Sequence, residues 1–104
     1  MIIEWNEHMF SADLKCFPMQ HDAAYMPKLH EDPLDVYLQH MKQENIDHAV
    51  IVQASTYWDD HSLLLDCLHR EPKKLHGTCL FRYGDQEAPR KMRDLVAAEP
   101  RIVA

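Results

Sequence analysis

Apolar positions along this chain follow two rhythms, and the rhythms alternate. The first nine-residue stretch, Ile2-Ile3-Glu4-Trp5-Asn6-Glu7-His8-Met9-Phe10, opens apolar and reads as a strand. Leu34, Tyr37, Leu38 and Met41 then recur at i, i+3, i+4 and i+7, which is one face of a helix. Asp32-Pro33 starts that helix: Asp is a good N-cap, Pro fits the first helical position, and Asp35 adds negative charge to the first turn. Lys42 stands near its end, and Glu44 to Asp47 turn the chain into His48-Ala49-Val50-Ile51-Val52-Gln53. The middle of that segment is continuously apolar and β-branched, as in a parallel strand covered on both faces.

The alternation continues to the last residue. Asp59 or Asp60 caps a second helix with Leu64, Cys67 and Leu68 on its buried face, and the helix stops at Glu71 before Pro72. A third strand runs from Leu75 to Phe81 with Gly77 inside it, and Arg82 to Asp85 form its exit loop. A third helix starts at about Ala88-Pro89, buries Ala88, Met92, Leu95 and Val96, and stops at Glu99. Arg101-Ile102-Val103-Ala104 begins a fourth strand. Glu71-Pro72 and Glu99-Pro100 stand 28 residues apart (99 − 71), as do His48 and His76 (76 − 48). A period near 30 residues is expected of repeated βα units. The order is therefore β, long loop, α, β, α, β, α, β: an α/β chain with a parallel sheet.

The long loop, Ser11 to Glu31, holds Pro18 and Pro27 and has no clean period. It reads as an ordered loop over the strand ends, pinned by Phe17 and Tyr25, or alternatively as a mobile surface loop. Long connections in α/β units are often functional.

Composition narrows the function classes. The chain has 104 residues, 46% hydrophobic and 27% charged, with a net charge of −6. That suits one small soluble domain. An acidic chain has no electrostatic footprint for nucleic acid. No apolar run approaches the ~20 residues of a membrane span, and the start lacks the basic and apolar regions of a signal peptide. Three cysteines without a C-x-x-C pair point to reduced thiols in a cytoplasmic setting. Eight histidines form no H-x-x-x-H pair and no Cys/His ligand cluster.

In parallel α/β folds ligands bind at the carboxyl ends of the strands. The first strand ends at Asn6 and His8, which alternation would aim to one face. The second ends at Gln53, Ser55 and Tyr57, and the third at Arg82 and Tyr83. All are polar or aromatic, whereas the opposite ends carry ordinary turn residues.

With these segments in view the sequence resembles the amino-terminal part of the amidohydrolase-2 proteins. This branch of the metal-dependent amidohydrolase superfamily includes the 2-pyrone-4,6-dicarboxylate lactonases and the aminocarboxymuconate-semialdehyde decarboxylase-like enzymes. The resemblance covers essentially the whole chain. It is carried by Ile3 to Phe10, Tyr25-Met26-Pro27, Asn45 to Gln53, Asp60 to Asp66, and Pro72 to Thr78. It implies a (β/α)₈ TIM barrel with a divalent metal, zinc or manganese, at the carboxyl ends of the strands. It implies hydrolysis or non-oxidative decarboxylation of a small carboxylated substrate. His8 matches the second histidine of the family's His-x-His, and Asn6 replaces the first. An amide oxygen is a poorer zinc ligand than an imidazole. Tyr25, Gln53 and Ser55 match substrate-contacting places.

A whole barrel takes ~250 residues. The resemblance therefore implies a fragment of a longer enzyme, with the general base and remaining ligands beyond Ala104 and with no activity in the 104-residue chain itself. Such a half-barrel would expose sheet edges and self-associate. A self-contained α/β binding domain without catalysis is the competing reading.

Overall fold

The computed structural model describes residues 1–28 and 32–104, so the last three residues of the long loop lie outside the described residues. Three parallel strands, β1 (Ile3–Glu7), β2 (His48–Val52) and β3 (Leu75–Thr78), lie side by side in sequence order. The crossover helices are α1 (Pro33–Gln43) and α2 (Ser62–Arg70), and α3 (Ala88–Ala98) follows β3. The expected fourth strand begins as a single parallel bridge from Ile102 to Gly77. It is supported by Gly77 N–H donating to Arg101 O at 2.9 Å and Val103 N–H donating to Gly77 O at 2.9 Å. Strands in sequence order, each followed by a helix, form one arc of a (β/α)₈ barrel.

The helix signals act as their chemistry requires. Asp32 caps α1, its side chain accepting from Leu34 N–H at 2.9 Å and more loosely from Asp35 N–H at 3.4 Å. The N-cap position of α2 falls to His61, whose side chain makes no cap bond. Asp60 does the work from one residue outside, accepting from both the N–H and the hydroxyl of Ser62.

The core lies between the sheet and the helices. Leu34, Tyr37 and Met41 of α1, and Leu63, Leu64, Cys67 and Leu68 of α2, close over Ala49, Ile51, Leu75 and Ile102. Burial pushes the Cys67 thiol up to about 12, so it behaves as a small apolar group. Gly77 sits where α2 presses closest, and a Cβ there would lie 2.8 Å from Leu64 Cδ1. The Glu99 carboxylate is held down to about 2, chiefly by its hydrogen bonds from the Arg101 guanidinium. Arg101 also donates to Leu68 O at 2.8 Å, which ties the Ile102 segment to α2.

Three expectations need correction. β1 is not a regular strand to its end. Between the pairs Glu4–Ala49 and Glu7–Ile51, two residues of β1, Trp5 and Asn6, stand against one of β2, Val50, and Asn6 takes the left-handed φ of 75°. Asn is among the few residues that enter that region cheaply, and the extra residue interrupts the alternation that would aim Asn6 and His8 together. β3 ends at Thr78 rather than Phe81, because the Leu80 N–H leaves the ladder and donates to His61 Nε2 at 3.1 Å. α3 buries none of its residues fully: Met92 is exposed, and Ala88, Leu95 and Val96 are half-buried.

The Gly77 contact gives a prediction. Gly77→Ala should lower unfolding free energy by roughly 1–3 kcal/mol, the usual cost of overpacking a filled core. Urea unfolding of both proteins measures it, and an unchanged midpoint would mean that α2 does not press on β3 as described.

Candidate functional site

The carboxyl ends of the strands are covered by two loops that hold each other. The shorter one follows β2. Its amides turn on carbonyls three residues back, from Tyr57 to Ala54, Trp58 to Ser55 and Asp60 to Tyr57, and Trp58 takes a left-handed φ of 46°. Gln53 closes this turn from within: its Nε2 donates to Trp58 O at 2.8 Å and to Asp60 O at 2.7 Å. Both amide hydrogens are thereby used, and the residue is buried. Gln53, expected to contact substrate, spends both amide hydrogens on this loop.

The longer loop, which follows β1, is fastened onto the shorter one. Ser11 N–H donates to Tyr57 Oη at 2.9 Å, Gln20 N–H to Thr56 O at 2.9 Å, and Thr56 Oγ1 to Tyr25 O at 2.7 Å. Thr56 and Tyr57 are buried, and burial raises the Tyr57 phenol above its ordinary range. Arg82 adds an ionic clasp from the third strand's exit. It bonds both oxygens of Asp22 at 2.7 and 3.0 Å and lies over the Trp58 ring at 4.8 Å. Its guanidinium holds the Asp22 carboxyl below the usual range. The ordered-loop expectation therefore holds for residues 11–28. Phe17 packs against the core, while Tyr25 is held by its backbone carbonyl and an edge contact with Phe10 at 5.4 Å.

Against this frame His8 is presented outward. Its Nδ1 lies 2.9 Å from Val52 O, and only a protonated nitrogen can bond a carbonyl. In the neutral ring Nε2 is then the free acceptor. A ring nitrogen fixed by a backbone carbonyl is also how proteins orient a histidine for a ligand or metal. Asn6, Ser55 and the Tyr25 side chain are exposed on the same end of the sheet, as is Tyr83. The set read from sequence thus divides. His8, Asn6, Tyr25 and Ser55 remain available to a ligand, whereas Gln53, Tyr57 and Arg82 are consumed in structure.

These residues do not by themselves make a metal centre. A catalytic zinc takes three protein ligands, and among the described residues His8 and Asn6 offer one free imidazole nitrogen and an amide. Among the described residues no three His, Cys, Asp or Glu side chains converge to hold an ion. No helix is long and apolar enough to cross a membrane among the described residues. Cys16, Cys67 and Cys79 are free thiols.

His61 was not singled out by the sequence. It is buried beside Phe81 at 5.1 Å between ring centroids and accepts the Leu80 N–H. Only the 19-residue separation from an amide that leaves its ladder explains it, and no local pattern carries that signal.

Solved structures share this fold. Over 99% of the chain it superposes, with a TM-score of 0.78 at 22% identity, on a probable 2-pyrone-4,6-dicarboxylic acid hydrolase from Acinetobacter baumannii solved with citric acid bound. Over 90% it matches a protein assigned the same activity from Pseudomonas putida, with a TM-score of 0.65 at 26% identity. The chain spans about a third of the length of each, 36% and 33%. Neither a protein-family model nor a curated protein sequence matches it. A parallel α/β arc, as in a barrel, is the fold this chain shares with those structures.

Two predictions follow from the loop frame. Tyr57→Phe removes the acceptor of a buried amide, which should cost about 1–3 kcal/mol in urea unfolding. An unchanged stability would mean that Ser11 finds another partner.

The second concerns His61. Burial lowers its pKa in the folded state, so the unfolded chain binds more protons once pH falls below the ordinary histidine value of 6.5. His61 should therefore make stability rise with pH below about 6.5 and leave it flat above. His61→Asn should flatten the difference in unfolding free energy between pH 5 and pH 7.5. An equal slope in both proteins would contradict the buried neutral ring.

Proposed function

We propose that this chain is the amino-terminal arc of an amidohydrolase-2-like barrel that binds a small carboxylated substrate at the carboxyl rim of its sheet. The observation that carries the reading is the His8 ring. Val52 O fixes its Nδ1–H, which leaves Nε2 free at the rim where strand ends in such barrels meet their ligands. The likeness to a hydrolase structure that holds citric acid supports a polycarboxylate as the ligand class.

In this reading Tyr25 and Ser55 hydroxyls donate to substrate carboxylate oxygens. Protonated on Nε2, His8 donates to the same anion; neutral, it accepts from a substrate hydroxyl or water. Asn6, exposed at the same end of the sheet, brings an amide that can donate or accept. Asp22 and Arg82 hold the loop that carries Tyr25 and do not touch substrate. The parent enzyme hydrolyses or decarboxylates the bound acid. The general base and any ligands that complete a zinc or manganese site come from outside these 104 residues. This chain orients the acid and does not cleave it.

Titration with citrate tests the proposal. The His8 ring resonances should move in a saturable way, and His8→Ala should weaken binding at least several-fold by calorimetry while Tyr83→Ala leaves it unchanged. No saturable shift, or equal binding by the His8 variant, would overturn the reading.

A further inference from the structure

His61 is a titratable ring held where only its neutral form fits. It is 7% exposed, and its Nε2 accepts the Leu80 N–H at 3.1 Å. A ring nitrogen that accepts carries no proton, so a second proton on the ring makes Nε2 a donor facing a donor. The Leu80 amide then loses its acceptor, and a charge stands against the Phe81 ring, whose centroid is 5.1 Å away. Solvent protons can reach this ring. It lines a cleft of about 400 Å³ with Asp59, Phe81, Arg90, Lys91 and Asp94, and the whole lining comes from residues 59–95. Arg90 is paired with Glu87 and Asp94, and Lys91 with Asp85, so α3 brings balanced charge to the cleft. Burial lowers the His61 pKa, and Asp59 and Asp60 of its own loop act against that shift. Protonation therefore falls below the ordinary histidine value of 6.5.

Two residues beyond Leu80 stands Arg82, the clasp of the long loop. The Leu80 bond and the Phe81 contact to His61 fix the chain just before it. Arg82 and Asp22 are both partly open to water, where an ion pair holds only as well as its two ends are positioned. We propose that His61 is a pH-sensitive switch for the rim: its protonation frees the Leu80 amide, carries Arg82 off Asp22 and unfastens residues 21–28, which include Tyr25. Ser11 and Gln20 stay bonded to Tyr57 and Thr56, so the loop opens at its outer part and not at its base. The charge of His21 favours the Asp22 carboxylate, so that neighbour acts in the opposite direction. The switch needs no ligand, while its effect on citrate rests on the rim reading above, so the two can fail separately.

An NMR titration of the full chain without ligand, from pH 7.5 to pH 5, decides it. The Arg82 side-chain N–H and the Ala23 amide, which donates to Gln20 O beside Asp22, should shift with the same midpoint as the His61 ring. His61→Gln offers the Leu80 amide an acceptor that cannot titrate, and in it both signals should stay flat. His61 titrating while Arg82 and Ala23 stand still would overturn the switch. So would the same transition in a folded His61→Gln protein, or a His61 ring that stays neutral until the chain unfolds. If His61→Gln does not fold, the shared or separate midpoints of the unaltered chain still decide. With citrate, calorimetry should find the two proteins alike at pH 7.5 and the unaltered chain several-fold weaker than His61→Gln at pH 5. An equal affinity at both pH values would contradict the release of Tyr25. No citrate binding by either protein would sink the rim reading and leave the ligand-free titration to decide the switch.

Discussion

The buried amide of Gln53 is the constraint on which the rim of this sheet depends. A side-chain amide out of water must find partners, because leaving it bare costs about 1–3 kcal/mol. Here both hydrogens go to carbonyls of one turn, Trp58 and Asp60, which forces residues 54–60 into a compact knot beyond β2. That knot is what the rest of the rim fastens to. Tyr57 offers its hydroxyl to Ser11, Thr56 bonds both Gln20 and Tyr25, and Trp58 supplies the ring beneath Arg82. The same knot leads into α2, where Asp60 caps the first turn and His61 receives the amide that ends β3. One polar residue at a strand end thereby fixes two loops, a helix start and the end of the next strand.

This arrangement separates support from presentation. Gln53, Thr56 and Tyr57, each with a backbone partner, set the loops, while His8, Ser55 and the Tyr25 side chain stay exposed. Sites are precise when the shell behind them is rigid, and here that shell is made from groups that cannot also serve a ligand. The β1 bulge contributes in the same way. Asn6 takes up the extra residue in a left-handed conformation, and His8 follows with its ring held against Val52 O. Nearby, the Glu7 carboxyl is pushed above its ordinary range, first by burial and then by its neighbour Glu4.

The element order was legible because it rests on local chemistry. The Asp32-Pro33 cap, the apolar run of β2 and the 28-residue spacing each act within a few residues or repeat along the chain. What sequence could not reveal depends on tertiary partners. Gln53 looks like any polar residue ending a strand, and only the path of Trp58 and Asp60 shows that its amide turns inward. β3 is cut short by a histidine 19 residues away from the amide it accepts. The Asp22–Arg82 clasp joins residues 60 apart, beyond any spacing rule. Met92 lies on an apolar stripe yet is 40% exposed, because a helical period says which residues share a face and not what lies opposite.

Amide hydrogen exchange tests the central claim, that the rim loops are fastened to the β2 knot as one unit. Ser11 and Gln20 donate to Tyr57 and Thr56, so their amides should exchange as slowly as those of the core strands to within about tenfold. In Gln53→Leu the same two amides should lose that protection while the centre of β2 keeps its own. Fast exchange at Ser11 and Gln20 in the unaltered chain, at rates expected of an open loop, would contradict the account.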